Sequence, residues 1–350
     1  MDVSLFDFDL PERAIALRPV SPRDSAKMLR VDGGHITDHY VSDLPALLRA
    51  GDVLVLNETK VLRAALTAIR PARAHGGGGD VTIDLNLHKR ESDTVWRAFA
   101  RPAKRLKVGD VISFSEDLTA EVFAKDAADV TLSFSKSGEA LDAAIEACGA
   151  PPLPPYIARK RAPDKADIED YQTVFAKETG SVAAPTAGLH FTPELFAKLE
   201  NAGIEFAKLT LHVGAGTFLP VKSDNTDDHV MHSEYFEISP ETAAQINTAR
   251  SNGGRVIAVG TTALRALESS CKDGQLIAQS RETDIFITPG YTFQMVDGLM
   301  TNFHLPKSTL FMLVSALAGR DTMQSAYAHA IENDYRFYSY GDSSLLWRAP

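Results

Sequence analysis

Three histidines of this chain, His190, His212 and His304, lie in segments that are rich in glycine, threonine and phenylalanine. The imidazole ring exchanges a proton near neutral pH, so these segments predict general acid–base chemistry carried on loops beside predicted strands. For any single histidine the alternative interpretation, a hydrogen-bonded core residue, stays open, but it is weak for the whole set. The segments are residues 180–191, 211–218, 260–262, 282–284 with 289–291, and 301–309.

The predicted strands should position these loops together. Residues 52–56 and 255–259 each consist of one charged residue and a continuous apolar run, which is typical of a buried strand. The first is followed directly by the polar residues 57–60 and the second by residues 260–262 and a helix. Open α/β sheets bind ligands at the carboxyl ends of their strands, so we expect the loops to meet in one dry pocket at one rim of the sheet.

A different pattern in the middle of the chain predicts a second domain. Apolar and polar residues alternate over 81–87, and four further short strands follow, a pattern typical of a small barrel or sandwich. A glycine tract at 76–79 and a proline run at 151–155 bracket the segment. The predicted fold class is therefore α/β, with a main layered α/β domain built from both chain ends and an inserted small all-β, barrel-like domain. The boundaries assign residues 1–73 and 153–350 to the main domain and residues 74–152 to the insert.

Local signals also mark elements of the C-terminal α/β region. Thr192, Ser239 and Ser308 each stand where a helix N-cap is expected. Residues 284–288 and the aromatic residues 335–340 are predicted to form strands.

Composition limits the class of protein. The chain has 350 residues with 36 Lys+Arg against 46 Asp+Glu, a net charge of −10, which argues against nonspecific coating of nucleic acid. Basic clusters at 101–107 and 159–161 could still form a local basic face. Two cysteines without paired spacing fit a reducing compartment, and the acidic N-terminus is unlike a signal peptide. The most apolar stretch, 310–317, is too short to span a bilayer, so we expect a cytoplasmic protein.

Common cofactor and metal motifs are missing. No phosphate-binding loop of the G-x-x-x-x-G-K-[ST] type occurs, and residues 214–219 lack the third glycine of a dinucleotide-binding loop. Asp228, His229, His232 and Glu234 have loose metal-ligand spacing, but no predicted helix gathers them, so a surface turn is expected there.

Ungapped motifs are spread along nearly the whole chain. They are F-D-F-D-L-P at 6–11, P-R-D at 22–24, N-E-T-K at 57–60, R-P-A-K at 101–104, L-P-P-Y at 153–156, Y-Q-T at 171–173, S-V-A-A-P-T-A-G-L-H-F-T at 181–192, residues 211–218, E-T-D-I-F-I at 282–287, T-N-F-H-L-P-K-S-T-L at 301–310 and Y-R-F-Y-S-Y-G-D at 335–342. In these motifs the chain resembles the S-adenosylmethionine:tRNA ribosyltransferase-isomerase family of queuosine biosynthesis. It departs from the usual pattern in the glycine tract and in details of the β insert.

The resemblance implies that S-adenosylmethionine is a ribosyl donor. The acceptor would be the aminomethyl group of 7-aminomethyl-7-deazaguanine at the wobble position of a tRNA with a GUN anticodon, and the products epoxyqueuosine, adenine and methionine. S-adenosylmethionine is then a substrate, and no cofactor, metal or obligate protein partner is implied. The site needs a base for the C5′ proton beside the sulfonium, a proton for the departing adenine, a neutral amine and exclusion of water.

These demands give a set of expected site residues. One of the three loop histidines should be the base, while a carboxylate or an aromatic face should hold the sulfonium. The methionine carboxylate should meet the backbone N–H groups at residues 260–262, near Arg265. Two alternatives stay open: turn caps for the two carboxylates at 282 and 284, and a plain N-cap for Thr262.

The expected catalytic residues are His190, His212, His304, Glu282 and Asp284. The expected substrate-binding residues are Thr186, Gly188, Gly214, Gly216, Phe218, Thr261, Thr262, Arg265, Asn302 and Lys307. The expected tRNA-binding residues are Arg101, Lys104, Arg105, Arg159 and Arg161 on phosphates and Tyr156 as a stacking platform.

Two other classes of function compete with this interpretation. One is a hydrolase or transferase that acts on a free adenosine compound without RNA, and the other is a tRNA-binding module without chemistry. Release of adenine from S-adenosylmethionine that depends on the precursor tRNA separates the three.

Overall fold

The computed structural model describes residues 1–73, 79–214, 221 and 223–349. The chain divides into two compact units. The main unit comprises Met1–Thr59, Gln172–Glu178 and Pro185–Pro350, and the second unit comprises Lys60–Tyr171 and Thr179–Ala184. The predicted fold class, an α/β domain from both chain ends with an inserted β-barrel, is confirmed.

The strands among the described residues are numbered in chain order. They are β1 Lys27–Asp32, β2 His35–Tyr40, β3 Val53–Asn57, β4 Thr59–Val61, β5 Ala65–Arg70, β6 Val81–Arg90, β7 Val95–Arg101, β8 Val111–Ser113, β9 Thr119–Asp126, β10 Asp129–Phe134, β11 Glu178–Ser181, β12 Glu205–Leu211, β13 Glu234–Ile238, β14 Val256–Val259, β15 Cys271–Lys272, β16 Gln275–Leu276, β17 Gln279–Thr283, β18 Gly298–Asn302 and β19 Ser343–Trp347. The α-helices are α1 Leu44–Leu47, α2 Gly138–Cys148, α3 Pro155–Ala158, α4 Ala166–Asp170, α5 Pro193–Asn201, α6 Pro240–Ser251, α7 Thr261–Ser269, α8 Thr309–Ala318 and α9 Arg320–Glu332.

The main unit is built on a mixed sheet with the strand order β17-β13-β12-β3-β14-β18-β19-β1-β2. Its centre is parallel: β3 pairs in parallel with β12 and β14, and β14 pairs in parallel with β18. The carboxyl ends of these strands therefore lie at one edge of the sheet. The apolar run of β3 is buried along its whole length, as both faces of a parallel sheet require.

Apolar packing fixes the position of that edge. Leu54, Leu56, Ile257 and Met300 of the sheet share one core cluster with Leu195 of α5, and all of these side chains are fully buried. Each buried side chain of this size contributes about 1.5–3 kcal/mol. Helix α7 packs against β3, β12 and β14, and this packing holds the strand ends from which the loops start.

The three predicted helix caps are confirmed. The hydroxyls of Thr192, Ser239 and Ser308 each accept a hydrogen bond from a backbone N–H in the first turn of α5, α6 and α8. A cap of this kind is worth about 1 kcal/mol.

Two predicted strands are wrong. Residues 284–288 form no strand; the strand of this region is β17, which ends at Thr283 opposite Glu234, the first residue of β13. Residues 335–340 do not form a strand: Phe337 makes only an isolated parallel bridge with Ile15, Tyr338 has a positive φ of 74°, and the terminal strand β19 follows instead. Tyr335, Phe337 and Tyr340, three of the aromatic residues that suggested a strand, are buried in the core of the unit.

The second unit contains a closed barrel with the strand order β10-β7-β6-β5-β8-β9. In β6 the alternation seen in the sequence places Ile83, Leu85 and Leu87 inside the barrel, where they are buried. The short β strands therefore form a barrel rather than a sandwich.

This unit is larger than the predicted insert at 74–152. Strand β5 was assigned to the main domain, but it pairs with β6 from Ala65 opposite Asn86 to Arg70 opposite Val81, and the barrel cannot close without it. Residues 153–171 also belong to the second unit. The glycine tract is thus not the boundary, since it falls in the sequence between two paired strands.

Candidate active site

The carboxyl edge of the parallel strands gathers residues from distant parts of the chain. Asn57 ends β3, His212 follows β12, Thr261 begins α7 just after β14, and Asn302 ends β18. Because β13 runs antiparallel to β12, its first residue, Glu234, lies at the same edge. The structure therefore brings the described parts of three of the five predicted loops, residues 211–218, 260–262 and 301–309, to one rim of the main sheet.

Asn57 links three of these elements. Its amide nitrogen donates to the carbonyl of Leu211 (2.9 Å) and to the hydroxyl of Thr262 (3.3 Å). Its amide oxygen accepts from the backbone N–H groups of Leu211 (3.0 Å) and Thr59 (3.2 Å). The side chain is 1% exposed, so a buried amide with all its hydrogen bonds formed ties β3, β12, β4 and α7 together.

His212 is held beside this link. Its Nδ1 lies 2.9 Å from the hydroxyl of Thr59, and its ring stacks on that of Tyr235 with centroids 6.0 Å apart. The side chain is half-buried, whereas Thr59 is fully buried. Neither Thr59 nor Tyr235 was among the expected site residues. The signal for Thr59 was its place in the polar segment directly after a buried strand.

His190 lies in a different hydrogen-bonded chain. The hydroxyl of Thr186 donates to Oδ1 of Asn302 (2.9 Å), which turns the amide nitrogen of Asn302 toward Nε2 of His190 (3.3 Å). Burial lowers the pKa of His190 to about 4, although a hydrogen bond to the Arg23 backbone opposes this shift. His190 is therefore neutral near pH 7, and its basic nitrogen is occupied by Asn302.

His304 is buried as well. Its Nε2 lies 3.2 Å from the hydroxyl of Thr301, and its backbone N–H donates to the hydroxyl of Tyr327 (3.0 Å). Burial lowers the pKa of His304 to about 3. Of the three loop histidines, only His212 stands partly open at the rim.

Arg265 is engaged by a carboxylate that the sequence analysis did not assign to the site. Its guanidinium forms a buried ion pair with Glu234 and donates to the carbonyl of Ile285 (3.2 Å). The other oxygen of Glu234 accepts from the backbone N–H of Gly214 (3.0 Å). The predicted contact of Arg265 with a substrate carboxylate stays a prediction, while in this structure its guanidinium pairs with Glu234, which also holds the backbone of Gly214. In the sequence, Glu234 stood out only as the last residue of the loose metal-like spacing that begins at Asp228.

The N-terminus of α7 points from β14 to the rim. The N-cap is Gly260, with a φ of 91° that favours glycine, and it makes no side-chain cap. The alternative of Thr262 as the N-cap is therefore wrong, since its hydroxyl accepts from Asn57 instead. Thr261 is buried at the first helical position. A helix start of this kind presents backbone N–H groups and the positive end of the helix dipole to an anion.

Other expected residues have different environments. Gly188 packs closely, because a Cβ there would meet Phe175 at 2.7 Å. Glu282 and Asp284 are exposed, and Glu282 accepts from the hydroxyl of Ser233 (2.9 Å). Lys307 is exposed and pairs with Asp7 at 2.8 Å. Gly216 and Phe218 lie outside the described residues.

All six expected tRNA-binding residues belong to the second unit. Four of them are exposed cations: Arg101, Lys104, Arg105 and Arg159. Tyr156 is half-buried in α3. Arg161 differs, because both of its terminal nitrogens donate to the fully buried carboxylate of Asp167, at 2.7 and 2.6 Å. The positive charge of Arg161 is therefore paired with a carboxylate within the second unit.

The part of the chain that the structure describes has neither a cluster of metal-ligating side chains nor a membrane-spanning helix. Within it, no group of three His, Cys, Asp or Glu side chains is arranged to hold a metal ion. Of the four residues with loose metal-like spacing, Asp228 lies in the 3-10 turn Thr226–Asp228, whereas Glu234 is buried at the start of β13, so the predicted surface turn is wrong for Glu234. Over the same residues, no helix has the length and apolar character needed to cross a membrane.

Comparison with known proteins gives one consistent result. The family model described as "Queuosine biosynthesis protein" matches residues 3–346. The S-adenosylmethionine:tRNA ribosyltransferase-isomerase of Maricaulis maris is 62% identical over 99% of both chains, and that of Phenylobacterium zucineum is 58% identical over 100% of both. The crystal structure of the S-adenosylmethionine tRNA ribosyltransferase of Thermotoga maritima is similar, with a TM-score of 0.56, 32% identity, and coverage of 98% of this chain and 99% of that one.

Proposed function

This chain belongs to the queuosine biosynthesis protein family, and we propose on that basis that it is an S-adenosylmethionine:tRNA ribosyltransferase-isomerase. It transfers and isomerises the ribosyl part of S-adenosylmethionine onto 7-aminomethyl-7-deazaguanine at the tRNA wobble position. The products are epoxyqueuosine in the tRNA, adenine and methionine. One observation supports this proposal most directly: His212, Asn57 and the start of α7 lie together at one edge of the sheet.

We assign the abstraction of the C5′ proton to His212. A general base works best when its pKa lies near the pH of the medium. Burial lowers the pKa of His190 to about 4 and that of His304 to about 3, so both are weak bases at neutral pH. His212 is half-buried at the rim and held in one orientation by Thr59 and Tyr235. His190 and His304 then serve to shape the site.

The start of α7 is our candidate for the methionine carboxylate. Thr261 and Thr262 stand in its first turn, where backbone N–H groups lack partners inside the helix. Arg265 is not needed as an anion ligand, because its charge is balanced by Glu234. We propose that the carboxylate of Asp284 or of Glu282 contacts the sulfonium of S-adenosylmethionine.

We propose that the second unit binds the anticodon arm. Arg101, Lys104, Arg105 and Arg159 are exposed cations that suit phosphate contacts, and Tyr156 suits stacking of an unpaired base. The tRNA is one with a GUN anticodon that carries the deazaguanine precursor, and the reaction takes place in the cytoplasm. With a net charge of −10 for the whole chain, attraction of RNA depends on such local clusters.

The proposed reaction requires no cofactor, because S-adenosylmethionine is itself consumed. Enzyme dialysed against a chelator should keep its rate. A rate that falls and returns only with an added metal ion would contradict this part of the proposal.

The test of the function is release of adenine from S-adenosylmethionine, with and without tRNA that carries the precursor base. Release that depends on this tRNA, together with epoxyqueuosine in the recovered RNA, is the expected result. Release without RNA would favour the hydrolase or transferase acting on a free adenosine compound, and binding of tRNA without release would leave only a binding module.

A further inference from the structure

We infer that Thr59 is a positioning residue for His212: its hydroxyl accepts the Nδ1–H of the imidazole and donates to the carbonyl of Glu178, so that Nε2 is the basic nitrogen. The inference rests on the proposed function, since it concerns the histidine to which the proton abstraction is assigned. Thr59 acts through His212 and has no contact with the reacting atoms in this scheme.

The geometry around the hydroxyl supports this direction of the hydrogen bonds. Oγ1 of Thr59 lies 2.9 Å from Nδ1 of His212 and 3.5 Å from the carbonyl oxygen of Glu178. A hydroxyl has one proton to donate and can accept from others. A carbonyl can only accept, so the arrangement that satisfies both neighbours has Thr59 donating to Glu178 and accepting from His212. In a neutral imidazole, a proton on Nδ1 leaves the lone pair on Nε2.

The position of Thr59 is itself fixed. Its side chain is fully buried, and its backbone N–H donates to Asn57 at 3.2 Å. Asn57 also holds Leu211, the residue before His212. One amide therefore sets the distance between the hydroxyl and the imidazole, with Tyr235 stacked against the ring.

The other two loop histidines are held differently. Nε2 of His190 faces the amide of Asn302, and Nε2 of His304 faces the hydroxyl of Thr301. Among the three, only His212 is held at Nδ1 by a side chain. This is the arrangement that orients an imidazole as a base, because the partner on one nitrogen determines the tautomer and the direction of the other.

The test compares Thr59→Val, which keeps the shape of the side chain but removes the hydroxyl, with Thr59→Ser, which keeps the hydroxyl. In Thr59→Val, kcat for adenine release should fall about 10- to 100-fold, because orientation of the base is lost, while KM for S-adenosylmethionine and for tRNA stays within about twofold. Thr59→Ser should restore kcat to within a few-fold of the unsubstituted enzyme.

A second readout does not depend on activity. Nitrogen NMR of the full-length enzyme with labelled histidine reports which ring nitrogen carries the proton, and the His212 signals are those absent from His212→Gln. We expect the Nδ1–H form in the unsubstituted enzyme and in Thr59→Ser, and a shift toward the Nε2–H form in Thr59→Val. Thr301→Val is the matched control, since it removes a buried hydroxyl from another histidine and should leave the His212 signals in place.

The outcomes separate the inference from the proposed function. If Thr59→Val keeps the tautomer or the kcat of the unsubstituted enzyme while His212→Gln is inactive, the role of Thr59 is refuted and the base assignment stands. If His212→Gln itself keeps its rate, the base assignment fails and the inference fails with it, whatever the tautomer shows.

Discussion

Replacing Asn57 by Asp tests how strongly the rim is held together. The two side chains have nearly the same shape, but the carboxylate cannot donate to the carbonyl of Leu211 or the hydroxyl of Thr262. At 1% exposure, water cannot replace these hydrogen bonds. An unsatisfied buried carbonyl costs roughly 1–3 kcal/mol, and the added charge faces two oxygen atoms in a buried site, so we expect a total loss of about 3 kcal/mol.

The chain offers a matched control in Asn247. Its side chain forms the same pair of hydrogen bonds with one backbone residue, donating to the carbonyl of Leu276 (2.9 Å) and accepting from its N–H (2.9 Å). Asn247 is only half-buried on α6, so water can solvate the groups that Asn247→Asp exposes. That variant should lose about 1 kcal/mol or less.

Thermal denaturation followed by circular dichroism measures the difference. For a unit of this size, about 3 kcal/mol corresponds to a fall in Tm of roughly 6–10 °C for Asn57→Asp, against about 2–3 °C for Asn247→Asp. Equal Tm values for the two variants would refute the argument that the buried amide of Asn57 stabilises the rim.

Three further predictions follow from buried or exposed charges. Glu234→Gln leaves the buried guanidinium of Arg265 without its counterion and should lower the stability by about 3–5 kcal/mol in the same thermal assay. The pKa of His190 is about 4 in the folded chain, below its ordinary value of 6.5, so the unfolded chain binds more protons between these pH values and stability falls as the pH drops through that window. His190→Asn should flatten this dependence between about pH 6.5 and 5 in urea titrations, and an unchanged slope would contradict it. Arg159→Gln should weaken tRNA binding and reduce the salt slope of log K by about 0.7–0.9, whereas Arg161→Gln should mainly destabilise the second unit, because its charge holds Asp167. Identical behaviour of the two variants in a filter-binding and melting series would contradict their separate roles.

The sequence by itself determined the local elements and the family. The apolar runs at 52–56 and 255–259 predicted β3 and β14, because a strand buried on both faces must be apolar throughout. The alternation at 81–87 predicted β6 of the barrel, and Thr192 predicted the start of α5, because both signals come from residues only a few positions apart. Most of the histidines, threonines and glycines of the expected site were likewise placed by their position after predicted strands.

Only the tertiary structure decided what those residues do. Arg265 pairs with Glu234, 31 positions away, and Thr59 forms a hydrogen bond with His212, 153 positions away, because the order of strands in the sheet brings them together. In the fold that results, His190 and His304 are buried and His212 is half-buried at the rim, although all three lie in similar loop segments of the sequence. Likewise, β5 joined the barrel because a closed sheet needs a partner for both β6 and β8. Burial and hydrogen-bond partners depend on contacts between distant segments, and no local pattern of side chains encodes which strand will lie beside which.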